Sequence, residues 1–159
     1  MKSGLLLFLS LLTSQLHGQD DALRLRQFNL GKGGLAIEGY DPVSYFSSSG
    51  PVEGKKEFSV NFHAVVYRFA TRENLEKFKK DPSMYEPAYG GWCAYAMGKT
   101  GEKVEVDPET YKIIGGHLFL FYNAFFNNTL PKWNADEKHL HENADRNWAE
   151  FYPVKSVAP

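Results

Sequence analysis

A single cysteine, Cys93, is the feature that most constrains what this chain of 159 residues can fold into. With one thiol the chain cannot close an internal disulfide, so packing alone must hold its fold together. Aromatic residues make up 15% of the sequence, which provides large side chains for such packing. The length suits one domain with a substantial hydrophobic core.

The cysteine lies within the segment Tyr89-Gly90-Gly91-Trp92-Cys93-Ala94-Tyr95-Ala96-Met97. Its two adjacent glycines favour a tight turn immediately before the thiol. Cys93 and Met97 are four residues apart, so their sulfur atoms share one face of either a helix or a strand. This segment is therefore the first candidate for a functional site.

The first 18 residues have the pattern of a secretory signal peptide. Lys2 precedes the short apolar run 5–12, and small and polar residues follow up to Gly18. The run is too short for a membrane span, which needs about 20 apolar residues. We expect cleavage near Gly18, export to the periplasm or the extracellular space, and no stable membrane insertion afterwards; an uncleaved amphipathic anchor is the alternative.

Charge excludes some partners and restricts the state of the thiol. The chain has 18 Lys and Arg against 19 Asp and Glu, without a long run of either sign, which argues against nucleic acid as a partner. An odd thiol in an oxidising compartment is expected to be buried, metal-bound or paired with another molecule. Cys93 therefore has three possible states.

Hydrophobic periodicity predicts an α+β fold. We expect a small single domain with two β-hairpins that form an antiparallel sheet, flanked by several short helices and a C-terminal helix. The predicted hairpin strands are 58–62 with 66–69, and 111–114 with 118–122. Further strands are predicted at 35–39 and 103–106, and helices at 71–80 and 134–148. Residues 19–34 form a loosely held lead-in, 35–152 the domain and 153–159 a flexible tail.

Several ordered motifs resemble those of YHS domain proteins, in particular their longer, exported branch. In chain order the motifs are Asp41-Pro42-Val43, Tyr67-Arg68-Phe69, Asn74 with Phe78, Asp81-Pro82 with Tyr85, Tyr89-Gly90-Gly91-Trp92-Cys93-Ala94, Asp107-Pro108, Gly116-His117-Leu118-Phe119-Leu120 and Ala144-Asp145-Arg146-Asn147-Trp148. The resemblance covers about residues 38 to 150. It implies the family more specifically than it implies a function.

The shorter YHS modules look like metal-handling domains that use cysteines. This sequence departs from their pattern, because Ser44, Ala70 and Asn74 stand where those thiols would be. A metal site carried over from the shorter modules is therefore in doubt. The remaining sulfur ligands are Cys93 and Met97, with Met84 more distant.

Copper is the metal favoured by the ligands that remain. A thiolate, a thioether and imidazoles form a soft ligand set of the kind found in electron-transfer copper centres. His63 and His117 lie at the turns of the two predicted hairpins, where each could approach Cys93 and Met97. We expect at least one of them to share a concavity with both sulfurs. Its walls would come from Tyr89, Trp92 or Tyr95.

Two other classes of function remain open. The chain could be a non-catalytic module that binds a small ligand or a protein through its aromatic residues, with a purely structural Cys93. It could also be a thiol-dependent enzyme, although no nucleophile motif surrounds Cys93 and no phosphate loop or zinc motif is present. The sequence favours a protein without catalytic activity.

Overall fold

The computed structural model describes residues 19–153. The predicted signal peptide, its cleavage site and all of the predicted tail beyond residue 153 lie outside the described residues. Within the described part the predicted fold class is confirmed: helices and mainly antiparallel strands form one small α+β domain that ends in a helix.

The first predicted hairpin belongs to a four-stranded sheet. Strands β3 (Lys55–Phe62) and β4 (Val65–Phe69) are antiparallel, and their turn places His63 and Ala64 at positive φ. On the other side of β4, the short β2 (Leu35–Ala36) pairs in parallel, followed by the antiparallel β1 (Leu30–Gly31).

The second predicted hairpin forms a separate two-stranded sheet. It consists of β5 (Asp107–Ile114) and β6 (His117–Phe121), and a single parallel bridge joins Leu118 to Pro87. A third, small hairpin follows, made of β7 (Asn123–Ala124) and β8 (Asn127–Asn128). The two predicted hairpins therefore contact each other through side chains and not through one continuous ladder.

Two of the described helices begin at a side-chain capping group. α1 covers the described residues 19–27, and α2 spans Arg72–Lys80, where the Thr71 side chain accepts a hydrogen bond from the Asn74 backbone. α3 (Pro82–Tyr85) begins at Asp81, whose carboxylate accepts from Met84 N–H. The remaining helices are α4 (Ala94–Lys99), α5 (Leu130–Ala135) and α6 (Glu137–Phe151).

Two hydrophobic clusters form the core. The first lies between the four-stranded sheet, α2 and one face of β6, and it buries Tyr67, Phe69, Phe78 and Leu120. The second lies between α4, α5, α6 and the other face of β6. Strand β6 contributes to both clusters, which explains why its sequence is apolar on both faces. The predicted burial of Phe69 and Leu120 is confirmed, and both residues belong to the first cluster.

Three local predictions were wrong. Residues 103–106 form no strand, and β5 begins only at Asp107 because the following segment pairs with β6. Residues 37–39 leave β2 as a 3-10 turn in which Ile37 and Glu38 have positive φ. The lead-in 19–34 is not loose, because its helix buries Arg24 and its strand β1 joins the sheet.

The C-terminal helix of the prediction is divided in two. α5 ends at Ala135 and α6 begins at Glu137, with Asp136 between them in a non-helical conformation. None of the described helices is both long enough and apolar enough to cross a membrane.

Candidate functional site

The segment around Cys93 turns sharply before it enters α4. Residues Ala88–Gly91 form a 3-10 turn in which Tyr89, Gly90 and Gly91 all have positive φ, at 55°, 60° and 87°. A bulky residue such as Tyr89 rarely adopts this conformation, and such strain is often found at functional sites. The turn directs Tyr89 towards one cleft, and Cys93 borders another.

Gly90 allows two aromatic rings to approach this turn. A Cβ atom at this position would lie 2.8 Å from ring carbons of both Phe28 and Trp148, which is closer than van der Waals contact permits. The rings of Phe28, Trp148 and Tyr152 pack together, with centroids 5.2 to 5.9 Å apart. Phe28 directly after α1, Trp148 of α6 and Tyr152 directly after α6 thus build one aromatic wall beside the glycine turn.

We call the adjoining space the Tyr89 cleft, a cavity of about 350 Å³. This size is near the lower end of the range for small-molecule sites. Besides the aromatic wall and Tyr89, it is lined by polar side chains from four parts of the chain. They include Arg24, Glu86, His117, His141 and Asp145.

A buried ion pair closes one side of the Tyr89 cleft. Both terminal nitrogens of Arg24 donate to the Glu86 carboxylate, and the Tyr67 hydroxyl donates to the same carboxylate at 2.5 Å. Burial alone would lower the pKa of Arg24, but the hydrogen bond and charge of Glu86 raise it above its usual value. Burial and the Glu86 charge also raise the pKa of Tyr67 well above normal. The charges of Arg24 and Glu86 therefore neutralise each other.

Asp145 provides the other carboxylate of the Tyr89 cleft. It accepts a hydrogen bond of 2.9 Å from the Tyr89 hydroxyl, whose pKa is raised by burial and by this neighbouring charge. Among the ion pairs found within residues 19–153, its one partner is His141 Nε2, at 3.8 Å. Among the described residues that line the cleft, Arg24 is the one Lys or Arg, and it is already paired with Glu86, so no Lys or Arg of the lining is paired with Asp145.

Cys93 borders a second cavity of about 400 Å³, which we call the Cys93 cleft. The thiol is fully buried, with its sulfur 3.3 Å from the Tyr122 amide nitrogen and 3.5 Å from Thr129 Oγ1. The Tyr122 N–H donates to the sulfur, and the Thr129 hydroxyl donates to the Tyr122 carbonyl. These contacts join the start of α4 to the end of β6.

The structure places the other residues of the predicted site in different surroundings. Met97 is fully buried within the second hydrophobic cluster. Tyr95 lines the Cys93 cleft, whereas Tyr89 lines the Tyr89 cleft. Trp92 packs beside the second cluster and donates its indole N–H to the Gln27 carbonyl at 2.7 Å.

The two predicted histidine ligands are not brought to Cys93. His117 is exposed at the start of β6 and lines the Tyr89 cleft. His63 groups with Asp20 and Asp21, with ligand atoms within 4.8 Å of one another. Within residues 19–153, the lining of the Cys93 cleft contains no histidine. The predicted shared concavity therefore differs from what the structure shows.

The positions Ser44, Ala70 and Asn74 all contact one buried residue, Asp41. Asp41 Oδ2 accepts hydrogen bonds from the Ala70 amide at 2.8 Å and from Asn74 Nδ2 at 2.7 Å. Its Oδ1 accepts from Val43 N–H at 2.8 Å, while the Ser44 hydroxyl donates to the Asp41 carbonyl. Asp41 thus links the turn after Pro42, the end of β4 and the start of α2.

Sequence reasoning missed most of the Tyr89 cleft. Arg24 and Glu86 are 62 positions apart, and Tyr89 and Asp145 are 56 apart. No local sequence motif indicates that these residues pair. The one available signal was the arginine within the apolar pattern of α1, where Leu23, Leu25 and Phe28 surround it.

Comparisons with known proteins found no matching family model, no matching curated protein and no matching solved structure.

Proposed function

We propose that this chain is an exported, non-catalytic binding domain that holds a small organic cation in the Tyr89 cleft. The observation that carries the proposal is the aromatic wall beside a carboxylate that lacks a permanent counter-charge. Aromatic faces and carboxylates both attract ammonium groups, and sites for such ligands commonly combine the two.

The shape of the cleft supports a small, largely apolar ligand. Phe28, Trp148 and Tyr152 provide ring surface from both ends of the described chain. Arg24 already lies 4.5 Å from the centre of the Phe28 ring, so one aromatic face is occupied by a cation of the protein itself. The Trp148 and Tyr152 rings remain to receive a ligand.

The charges support a positive group on that ligand. Glu86 is neutralised by Arg24, whereas Asp145 has only an imidazole nearby. A ligand carboxylate would meet the Asp145 charge without a free guanidinium to offset it. An ammonium would interact favourably with Asp145 and with the ring faces together.

The proposal is tested by titrating the chain with phenethylammonium while the indole N–H signals are followed by NMR. The Trp148 signal, assigned with Trp148→Phe, should shift, and 2-phenylethanol and phenylacetate should bind more weakly. Asp145→Asn keeps an oxygen that accepts from Tyr89 but removes the charge, and it should weaken ammonium binding about tenfold.

Cys93→Ser is the matched control because it changes the other cleft. It should leave the affinity for phenethylammonium unchanged. Preferential binding of phenylacetate would overturn the assignment of a cationic ligand. If none of the three probes shifts the Trp148 signal, the Tyr89 cleft is not a binding site for such ligands.

Membership of the YHS family is part of the proposal and is supported by the Asp41 contacts. The resemblance places thiols at the positions of Ser44, Ala70 and Asn74, which are far apart in sequence. All three positions contact Asp41. Positions whose thiols would bind one metal ion in the shorter modules are expected to lie close together in the fold, as these three positions do.

Copper binding through Cys93 remains a second proposal. It is supported by the position of the thiol beside an open cleft, although its predicted histidine partners lie elsewhere. A copper site there predicts a thiolate-to-copper absorption band when copper is added to the dialysed chain. The band should disappear in Cys93→Ala and persist in Met84→Leu. Absence of the band in the original chain would reject copper and favour a structural cysteine.

A further inference from the structure

The third hairpin presents two adjacent phenylalanines to solvent. Phe125 and Phe126 form the two-residue loop between β7 and β8, and their exposed fractions are 92% and 112%. They are the most exposed of the large hydrophobic residues in the part of the chain that the structure describes. Side chains of this kind are depleted on the surface of a monomer unless they have a partner.

The conformation of this loop makes its composition more unusual. Phe125 and Phe126 have φ of 51° and 61°, the left-handed conformation that a two-residue hairpin turn requires. Asn and Gly are the residues that adopt it readily, and a bulky ring does so at a cost in stability. Two phenylalanines here serve neither the turn nor the core, which points to an external contact.

The Cys93 cleft lies next to this hairpin. Tyr122 and Asn127, which flank the third hairpin loop on either side, both line the cleft, and its other walls come from α4 and the segment after it. The two phenylalanines do not line it. One molecule therefore displays a pair of exposed rings beside an open cavity of about 400 Å³ that its own rings do not fill.

We propose that the Phe125-Phe126 loop of one molecule inserts into the Cys93 cleft of a second copy, in a two-fold symmetric dimer. A two-fold axis between the loop and the cleft brings the loop of each copy onto the cleft of the other. Because loop and cleft are adjacent, both contacts form at once. The interface is thus closed and does not propagate into a filament.

Charge and area are compatible with this dimer. The loop and its flanking strands, residues 123–128, carry no charged side chain, and the cleft has Lys99 and Glu102 of opposite sign. Four rings that each bury about 150 to 250 Å², together with the smaller accessible surface of the two clefts, give a total of about 800 to 1,200 Å². That total is near the lower limit for a specific protein interface, so we expect a weak dimer that forms at high protein concentration.

The proposal is tested by sedimentation equilibrium of the full chain over a series of concentrations. The original chain should dimerise. The double variant Phe125→Ser, Phe126→Ser should raise the dimer dissociation constant at least about 100-fold, since it removes four buried rings from the dimer. Its circular dichroism should be unchanged, because the loop contributes nothing to the core.

A second variant removes the receiving surface. Ala96→Phe fills the cleft from α4 and should also give a monomer, with Thr100→Phe at an exposed position of the same cleft as the substitute if Ala96→Phe does not fold. A mixture of the loop variant and the cleft variant retains one intact loop and one intact cleft. This mixture should form heterodimers, although each variant alone does not dimerise.

Three outcomes would overturn the proposal. They are a monomeric original chain at every concentration, a dimer that survives the loop variant, and a mixture that forms no heterodimer. Flotation with phosphatidylcholine vesicles separates the main competing explanation. A monomeric chain that floats with vesicles only when Phe125 and Phe126 are present would assign the loop to a lipid surface.

Discussion

Gly90 shows how a single position shapes the Tyr89 cleft. We expect Gly90→Ala to lower the free energy of unfolding by about 2 to 4 kcal/mol, because the methyl group meets the Phe28 and Trp148 rings at a backbone with positive φ. Denaturant unfolding measures the change. Gly90→Ala should also abolish ammonium binding, because the aromatic wall must move to make room for the methyl group.

Gly115→Ala is the matched control for this substitution. Gly115 has φ of 57°, close to the 60° of Gly90, but a Cβ there would meet no atom within 4 Å. Gly115→Ala should lower the free energy of unfolding only by the backbone contribution, about 1 to 2 kcal/mol. If both variants lost the same free energy of unfolding, the rings near Gly90 would move aside for the methyl group without a cost in stability.

Asn74 tests the hydrogen bonds to the buried Asp41. We expect Asn74→Ala to lower the free energy of unfolding by about 1 to 3 kcal/mol, because Asp41 Oδ2 then loses one of its two donors. Asn134→Ala, which removes an exposed contact with Lys112, should stay within about 0.5 kcal/mol. Similar small effects of both substitutions in urea unfolding would contradict a structural role for the Asp41 contacts.

At the scale of elements, Glu137 ties the start of α6 to its neighbours. Its carboxylate accepts from Lys112 of β5 and from the Trp133 indole of α5 at 3.0 Å. These hydrogen bonds lower the pKa of Glu137 in the folded chain. A lowered folded pKa means that the stabilisation is complete above the unfolded pKa of about 4.3 and is lost as pH falls through the folded value.

Glu137→Gln should therefore reduce stability at neutral pH by about 0.2 to 1 kcal/mol, the range for an ion pair of this exposure. The difference from the original chain should shrink as pH falls below about 4. Thermal unfolding across this pH range measures it. A difference that stays constant with pH would indicate lost packing and not lost charge.

Elements with their own local signals were predicted well. The hairpin turn at His63, the Thr71 cap of α2 and the apolar strand β6 each carry their signal within a few residues. Residues 103–106 alternate like a strand but join no sheet, because β5 takes the antiparallel place beside β6 and the Val104 carbonyl accepts instead from the Cys93 backbone N–H. The Tyr89 cleft escaped prediction because Arg24, Glu86 and Asp145 meet only through tertiary structure, which periodicity does not encode.

For the whole molecule, export is the prediction with the widest consequence. An intact-mass measurement on the secreted or periplasmic protein should give the mass of a chain without residues 1–18. The chain expressed without these residues should unfold with the same midpoint as the exported protein, because cleavage near Gly18 leaves the same residues. Exported material that still contained Met1 to Gly18 would contradict the cleavage.

The Asp41 contacts affect how such a protein matures. Three thiols at positions 44, 70 and 74 would need metal delivery or a reductant before the turn, β4 and α2 could assemble. With Ser44, Ala70 and Asn74 the same junction is completed by groups that the chain already carries. After the proposed export, this junction would need no metal insertion to fold in an oxidising compartment, and the buried Cys93 would be protected from oxidation once α4 packs against β6.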